Sequence, residues 1–490
     1  MTDKSLGELG LTAQSGPSRV GIKAITLDSR AVKPGTLFAA LPGTRVHGAE
    51  FVEPALRMGA SAILTDRKGA QIAAEALARH PDVAVVVAED ARAALAMAAA
   101  LFFGAQPAVM AAVTGTNGKT SVASFTRQLW TALGHAAINV GTTGVEGAWG
   151  MPLAHTTPDS VTLQSLLAAA ANAGVTHAAM EASSHGLDQR RLEGVRLSAA
   201  AFTNLTQDHL DYHESMEAYF EAKAGLFDRL LPEDGVAVIN TDDPYGARLV
   251  RLVEQAVIKV GSAEDCDLRI LAQRFDAHGQ TLRFSWNGQP HQVDLTLIGG
   301  FQAANALLAL GLVLATGGNA AEAISALETL QGVRGRMQLA ATRSNGAPVF
   351  VDYAHTPAAV ETALKALRPH VMGRLIVVLG AGGDRDRTKR PLMGRAAAEY
   401  ADVVFVTDDN PRSEDPATIR AEILIAAPEA TEVGDRAEAI LRAVDALEPG
   451  DALLIAGKGH ETGQTVKGVV YPFDDLEQAS VAVAALDGKL

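Results

Sequence analysis

An apolar run, Val109 to Val113, passes directly into Thr114-Gly115-Thr116-Asn117-Gly118-Lys119-Thr120-Ser121 and then into the helix-compatible stretch VASFTRQLWTAL. Strand, glycine turn and helix in that order constrain this chain more than any other feature. Glycines let backbone N–H groups converge on phosphate oxygens, a helix N-terminus adds partial positive charge, and the lysine adds a full one. Thr120 is placed to bind Mg²⁺. The usual phosphate-loop pattern has a glycine five positions before the Gly-Lys pair, where this chain has Val113, so the loop is a shortened variant. An ordinary turn with a helix cap is the alternative, and ATP binding is the preferred reading.

Around this unit strands and helices alternate. Helix Lys119 to Leu133, strand Ala136 to Val140, helix Val161 to Ala173 and strands Val175 to Met180 and Leu197 to Phe202 predict a mainly parallel sheet covered on both faces. Residues 20 to 106 mix the short strands Ile22 to Leu27, Ala62 to Leu64 and Val83 to Val87 with helices Glu50 to Gly59 and Asp90 to Phe103. The Gly104-Ala-Gln-Pro107 segment reads as a linker. From Val333 onward the apolar strands Leu375 to Leu379, Val403 to Thr407 and Leu453 to Ala456 repeat the alternation in a Rossmann-like manner. The expected fold is therefore α/β in three domains: a small α/β domain over 1–106, a central P-loop-type parallel-sheet ATPase domain over 107–332, and a Rossmann-like domain over 333–490. At 490 residues the chain exceeds what one core usually organises.

Composition excludes several classes. Net charge is −14, spread without long like-charge blocks, which leaves no electrostatic footprint for nucleic acid or an anionic membrane. Anionic ligands must be held by local devices. The first residues lack a basic segment followed by an apolar one, and no apolar run approaches the ~20 residues that span a bilayer. The single cysteine, Cys266, rules out an internal disulfide and a Cys-cluster metal site. A cytoplasmic protein that acts as a monomer is expected.

The stretch Gly115-Thr-Asn-Gly-Lys-Thr-Ser121 resembles the ATP loop of the Mur ligase and folylpolyglutamate synthase superfamily. Further stretches are similar to the family in the same order. They are Leu27-Asp-Ser-Arg30 followed by Val32-Lys-Pro-Gly35 and Leu37-Phe38, Met180-Glu-Ala-Ser-Ser-His-Gly186, Asp352-Tyr-Ala-His-Thr-Pro357, Asp409-Asn-Pro-Arg412 and Gly457-Lys-Gly-His-Glu461. The resemblance implies a ligase that adds meso-diaminopimelate to the D-Glu carboxylate of UDP-N-acetylmuramoyl-L-alanyl-D-glutamate through an acyl phosphate, in peptidoglycan precursor synthesis. ATP, Mg²⁺ and CO₂, the last as a lysine carbamate, are implied with it.

Glu181 closes an apolar strand, and ligands gather at the carboxyl ends of parallel strands. A carboxylate there can hold Mg²⁺ together with Thr120, although a strand-end Glu read alone is more often a solvated group. His209, in Asn204-Leu-Thr-Gln-Asp-His-Leu-Asp211, matches the family's second metal ligand and is otherwise a loop histidine. Tyr219, Lys223, Leu226, Phe227 and Leu230 share one helical stripe, so Lys223 points toward the core, where an unpaired ammonium is costly. Snorkelling or a salt bridge could offset that cost. By resemblance, Lys223 is instead the lysine that reacts with CO₂ and then ligates the metal.

Other roles are carried over by the same resemblance. Catalysis falls to Lys119, Glu181, His209 and Lys223. Gly115, Thr116, Asn117, Gly118, Thr120, Ser121, Asn305, Arg336, Asp352 and His355 match ATP-binding positions, though Asp352 or His355 alone could be turn formers. Leu27, Ser29, Thr44, Arg45 and Val46 match uridine-diphosphate contacts. Thr156, Thr157, Ser183, Gln189 and Arg191 match contacts to the sugar-peptide, with turn formation equally open for the hydroxyl residues. Arg385, Asp409, Asn410, Pro411, Arg412, Gly457 and Glu461 match the diaminopimelate pocket. A guanidinium on a Pro-stiffened turn binds a distal carboxylate bidentately and repels an ammonium, which favours diaminopimelate over lysine. A lysine-adding or folylpolyglutamate synthase-like ligase, and a nucleotide-gated scaffold without chemistry, are the competing readings.

Overall fold

The computed structural model describes residues 3–43, 46–208, 212–276 and 279–489. Packing groups the chain into two units, residues 1–259 with 311–319, and residues 260–310 with 320–490. Among the described residues no helix is long and apolar enough to cross a membrane.

Besides the short antiparallel pair Lys4–Ser5 and Gly21–Ile22, the first unit contains two sheets. The smaller joins Ala24–Thr26, Thr36–Ala40, Ala60–Thr65 and Ala84–Val87, all parallel and in chain order. The predicted strand over 22–27 is interrupted at Lys23. The expected helix over 50–59 forms as a 3₁₀ turn, Gly48–Phe51, that runs into Val52–Arg57. Every residue of Thr36–Ala40 is buried, which explains why this strand reads as a continuous apolar run instead of an alternating one.

The larger sheet of this unit runs in the order Val236–Asn240, Ala199–Phe202, Val109–Thr114, His177–Glu181, Ala137–Gly141 and Gly144–Gly147. The first five strands are parallel and the last is antiparallel. The strand expected to end at Met180 extends one residue further, because Glu181 pairs in register with Val113. After Glu181 the chain crosses to the other side of Val109–Thr114, so the glycine loop emerges at the point where the winding reverses. Ligands of open α/β sheets bind at such points. The Gly104–Pro107 segment is irregular but anchored, since Gln106 Nε2 donates to Gln164 Oε1 at 2.9 Å and to the Gly194 carbonyl at 2.8 Å.

The second unit holds an element that the alternating pattern did not predict. Leu268–Asp276, Gly279–Trp286 and Gln289–Leu295 form an antiparallel meander. Its strands alternate exposed and buried positions, as in Gly279–Trp286, and this marks a sheet with one wet face. The Rossmann-like sheet is present as expected, ordered Gln338–Thr342, Pro348–Asp352, Ala452–Ala456, Leu375–Leu379, Val403–Val406 and Thr431–Glu432. All its pairings are parallel except the first. Asp352, Leu379, Val406 and Ala456 therefore end on the same edge, and the loops that follow them cluster.

Beneath these loops Arg436 and Asp475, each at the start of a helix, form a fully buried bidentate pair with both N···O distances at 2.7 Å. Removing one partner of such a pair strands a charge. Arg436→Met is expected to lower stability by about 3–5 kcal/mol in chemical denaturation, and a second change, Asp475→Leu, to restore most of it. Equal stability of Arg436→Met and the parent would show that the pair contributes nothing.

Candidate active site

Gly115 sits at φ +144°, and a Cβ there would lie 1.9 Å from Thr203 Oγ1, so this turn accepts only glycine. The segment after the neighbouring strand clamps the loop. Asn204 accepts from Thr116 N at 2.8 Å through its carbonyl and from Asn117 N at 3.0 Å through Oδ1. Thr203 Oγ1 donates to the Asn117 carbonyl at 2.6 Å, and Thr116 Oγ1 lies 3.2 Å from the Tyr219 hydroxyl. Helix Lys119–Ala132 follows Gly118 with no side-chain cap and no acidic residue in its first turn, and Ser121 is buried in that turn. Its N-terminal N–H groups therefore suit an anion. Lys119 Nζ donates to the carbonyls of Gly115 at 2.9 Å and Thr116 at 2.8 Å, which holds the cation against the loop it serves.

Glu181 is 2% exposed and faces this loop. Its carboxylate accepts from Thr120 Oγ1 at 3.1 Å, Thr142 N at 2.7 Å and Thr142 Oγ1 at 3.2 Å. The buried group is thus fully solvated by protein donors, which answers the objection that a strand-end Glu belongs in water. Carboxylate and hydroxyl oxygens side by side suit a hard divalent cation such as Mg²⁺. Among the described residues no three His, Cys, Asp or Glu side chains gather as a metal shell. His209, expected as a further ligand, lies outside the described residues.

Lys223 ends helix Met216–Gly225 and is 1% exposed. Its Nζ donates to the Gly115 carbonyl at 2.7 Å, the same oxygen that Lys119 uses, and stands 4.5 Å from the Tyr219 ring centroid. The helix then passes into a π turn, Leu226–Leu230, in which Leu226 and Phe227 are buried. Snorkelling is thereby excluded, because the amine is at the bottom of its environment. Burial first, and the Lys119 cation second, hold the Lys223 pKa well below the ordinary lysine value, with Asp208 opposing them. A shift in that direction favours the neutral, nucleophilic form of the amine beside the glycine loop.

Residues expected at the sugar-peptide surround the same strand end. Thr156 Oγ1 lies 3.0 Å from Thr142 Oγ1, and Thr157 Oγ1 donates to the Glu181 carbonyl at 2.9 Å. Ser183 caps helix Ser184–Asp188 through Gly186 N. Arg191 donates to the Thr157 carbonyl at 2.6 Å and to Gln189 Oε1 at 2.8 Å, and Gln189 Nε2 reaches the Tyr212 hydroxyl at 3.2 Å. Of the residues expected at a uridine diphosphate, Leu27 and Ser29 follow the first strand of the small sheet, and Val46 is 47% exposed. Thr44 and Arg45 lie outside the described residues.

In the second unit Asn305 is buried on helix Phe301–Ala315 and donates to Gln302 Oε1 at 3.0 Å. Asp352 accepts from Met337 N at 2.7 Å and Ala354 N at 2.8 Å, shaping its own turn, while burial raises its pKa. Arg336 lies over the Tyr353 ring at 4.8 Å, and His355 Nδ1 is 2.8 Å from the Tyr353 carbonyl.

The Asp409–Arg412 turn is built around two residues at positive φ, Asn410 at +43° and Arg412 at +52°. Asn410 Nδ2 donates to Asp409 Oδ1 at 3.2 Å and Glu461 Oε2 at 2.8 Å, and Arg412 donates to the Gly383 carbonyl at 2.9 Å. Pro411 is buried between them. Gly457, at φ +121°, gives room to Asp409, whose Oδ2 would be 2.3 Å from a Cβ. Arg385 is exposed on the neighbouring loop. Hairpin Gly463–Val466 and Val469–Pro472 closes the turn: Thr465 N donates to Asn410 Oδ1 at 2.8 Å, and Arg412 N to the Thr465 carbonyl at 3.0 Å. Thr142, Thr203, Lys458 and Gln464 were not expected as site residues. Lys458 falls within the Gly457–Glu461 stretch without a role of its own there, and the other three act through partners distant in the chain.

Comparison with known proteins places the chain among one family of ligases. Family profiles match for the Mur ligase family catalytic domain over 21–103, the Mur ligase middle domain over 113–313 and the Mur ligase glutamate ligase domain over 335–459. A UDP-N-acetylmuramoyl-L-alanyl-D-glutamate--2,6-diaminopimelate ligase of Caulobacter vibrioides is 52% identical, covering 95% of this chain and 96% of that protein. The Agrobacterium fabrum protein of the same name is 50% identical over 98% of this chain and 96% of its own. A solved structure bearing that enzyme name is similar at TM-score 0.72 and 33% identity, covering 99% of each chain.

Lys223 supplies a test that does not depend on turnover. An amine with a depressed folded pKa binds fewer protons folded than unfolded between that pKa and the ordinary value of about 10.4. Its burial therefore costs stability at neutral pH, and the cost fades as pH rises. In CO₂-depleted buffer Lys223→Met is expected to melt above the parent at neutral pH, with the gap closing near pH ~10. A gap that is constant across that range would show a charged ammonium in the fold.

Proposed function

Because the chain belongs to the Mur ligase family, we propose that it joins 2,6-diaminopimelate to UDP-N-acetylmuramoyl-L-alanyl-D-glutamate. The protein is an ATP-dependent, amide-forming ligase of peptidoglycan precursor synthesis. The observation that carries this reading is the meeting, at one strand end, of a glycine loop, an uncapped helix N-terminus, Lys119 and the Thr120–Glu181 pair.

The chemistry follows from what these groups can neutralise. A D-Glu carboxylate oxygen attacks the terminal phosphorus of ATP, the bond to ADP breaks, and an acyl phosphate forms. The amine of diaminopimelate then adds to the acyl carbon, the tetrahedral intermediate expels phosphate, and the amine loses its proton. Loop N–H groups and Lys119 spread the charge of the moving phosphoryl group. Arg191, braced by Thr157 and Gln189, offers a guanidinium to the sugar-peptide, with Thr156 and Ser183 beside it. Leu27, Ser29, Thr44, Arg45 and Val46 contact the uridine diphosphate. Asn305, Arg336, Asp352 and His355 serve the nucleotide.

Thr120 and Glu181 would hold Mg²⁺, with His209 and a carbamylated Lys223 as further ligands. Bound there, the ion neutralises phosphate charge. The buried amine of Lys223, its pKa lowered chiefly by burial, supports the carbamate: the lone pair of its neutral form adds to the carbon of CO₂ and one proton leaves, converting a neutral amine into an anion. Arg412 binds the distal carboxylate of diaminopimelate and Glu461 its distal ammonium, with Arg385, Asp409, Asn410, Pro411 and Gly457 completing the pocket. Residues 1–106 take the UDP end, 107–332 ATP, and 333–490 the amino acid. The protein acts in the cytoplasm as a monomer.

Phosphate release with ATP, the UDP-sugar dipeptide and either meso-diaminopimelate, L-lysine or no amine tests the assignment. Turnover that requires diaminopimelate is expected. Equal turnover with lysine would defeat the specificity, and no turnover with any amine would make the protein a scaffold. Arg412→Ala should raise the KM for diaminopimelate by about thirtyfold or more, as for loss of one partner of a buried charge pair, with the KM for ATP little changed. An unchanged amino-acid KM would remove Arg412 from the pocket. Lys223→Ala should lose about a hundredfold or more in kcat and regain part of it with a small carboxylic acid. Full activity of that variant would show the carbamate to be dispensable.

A further inference from the structure

Lys458 is a buried cation beside the Asp409–Arg412 turn, with none of its side chain exposed. It lies within the Gly457–Glu461 stretch, yet the chemistry above gives it no role. Its Nζ donates to Gln464 Oε1 at 2.9 Å, and the same oxygen accepts from Asn410 N at 3.0 Å. The ammonium also stands 3.6 Å from Asp409 Oδ1 and 3.8 Å from Glu461 Oε2, without a direct hydrogen bond to either. Asp475, the third carboxylate nearby, is already saturated by Arg436. Lys458 and Arg436 meet the carboxylates of Asp409, Glu461 and Asp475, and Arg412, whose charge acts on Glu461, and the exposed Arg385 bring two further positive charges to the same turns.

That balance matches one ligand class. A diamino dicarboxylic acid carries two ammonium and two carboxylate groups and is neutral overall, whereas lysine, with one carboxylate, is a net cation. A pocket without net negative charge offers the net cation no advantage. Without Lys458 the pocket loses one positive charge, so a monocarboxylic diamino acid would gain where a distal carboxylate would lose. We propose that Lys458 is a positioning and charge-balancing residue that sets the preference for an amino acid with two carboxylates, acting through Asp409, Glu461 and the Gln464-held turn. The inference rests on the amino-acid pocket proposed above and deepens it. Burial, with the Arg436 charge beside it, holds the lysine's pKa below the ordinary value, and Asp409, Glu461 and Asp475 oppose that shift.

The test compares kcat/KM for L-lysine and meso-diaminopimelate in the parent, Lys458→Met and Gln464→Glu. The first substitution removes the cation at constant volume. The second keeps the accepting oxygen at the half-exposed position 464 and adds a negative charge, so it reads the same balance without disturbing the core. In both variants the lysine-to-diaminopimelate ratio is expected to rise by about fivefold or more, with the KM for ATP within about twofold of the parent. A purely structural role would lower both amino-acid values together and leave their ratio unmoved. An unchanged ratio in Gln464→Glu with a parental melting temperature overturns the inference, even if Lys458→Met fails to fold. A parent that does not use diaminopimelate overturns the pocket assignment itself, and the two failures are thereby distinguished.

Discussion

Two lysines on one backbone oxygen constrain the first unit more tightly than any other contact. Lys119 and Lys223 both donate to the Gly115 carbonyl, in a place where Lys223 is almost wholly buried. Two ammonium groups so close repel at low dielectric, and burial together with the Lys119 charge lowers the Lys223 pKa, against Asp208. The arrangement requires Gly115 at its left-handed φ, Thr203 and Asn204 to pin the loop, and Tyr219 to line the amine. A lysine of lowered pKa next to the glycine loop is thus a consequence of packing.

The same geometric rule serves both units separately. Parallel strands end on a common edge, and the turns that leave them are free of ladder hydrogen bonds. In the first unit that edge collects the glycine loop, Glu181 and Thr142. In the second it collects Asp352, the Asp409–Arg412 turn and Gly457–Glu461. The chemistry differs because the side chains differ: hydroxyls and lysines for phosphate on one edge, alternating carboxylates and cations for an amphoteric amino acid on the other.

Much of this was legible because it is local. The strand-turn-helix at 109–132 declares itself through apolar run, glycines and helix formers, and the buried strands of the last third read as unbroken apolar stretches. The stripe bearing Lys223 correctly forecast burial. The antiparallel meander at 268–295 was missed because its alternation is diluted by polar residues on the exposed face, as in Gln289–Leu295. Glu181, expected to close the apolar strand that ends at Met180, is paired as its last residue. The register with Val113 is a long-range pairing that no local pattern encodes.

By itself the sequence determined the order of strands and helices, the phosphate turn, the need to hold anions by local devices in a net-acidic chain, and the family. These follow from periodicity, residue chemistry and motif, which act over a few neighbours. Only the tertiary structure decided which carbonyl the two lysines share, which donors neutralise Glu181, and that Lys458 lies buried among Asp409, Glu461 and Gln464. Those contacts join residues on different strands and loops, and the free energy of burying a charge depends on every group around it.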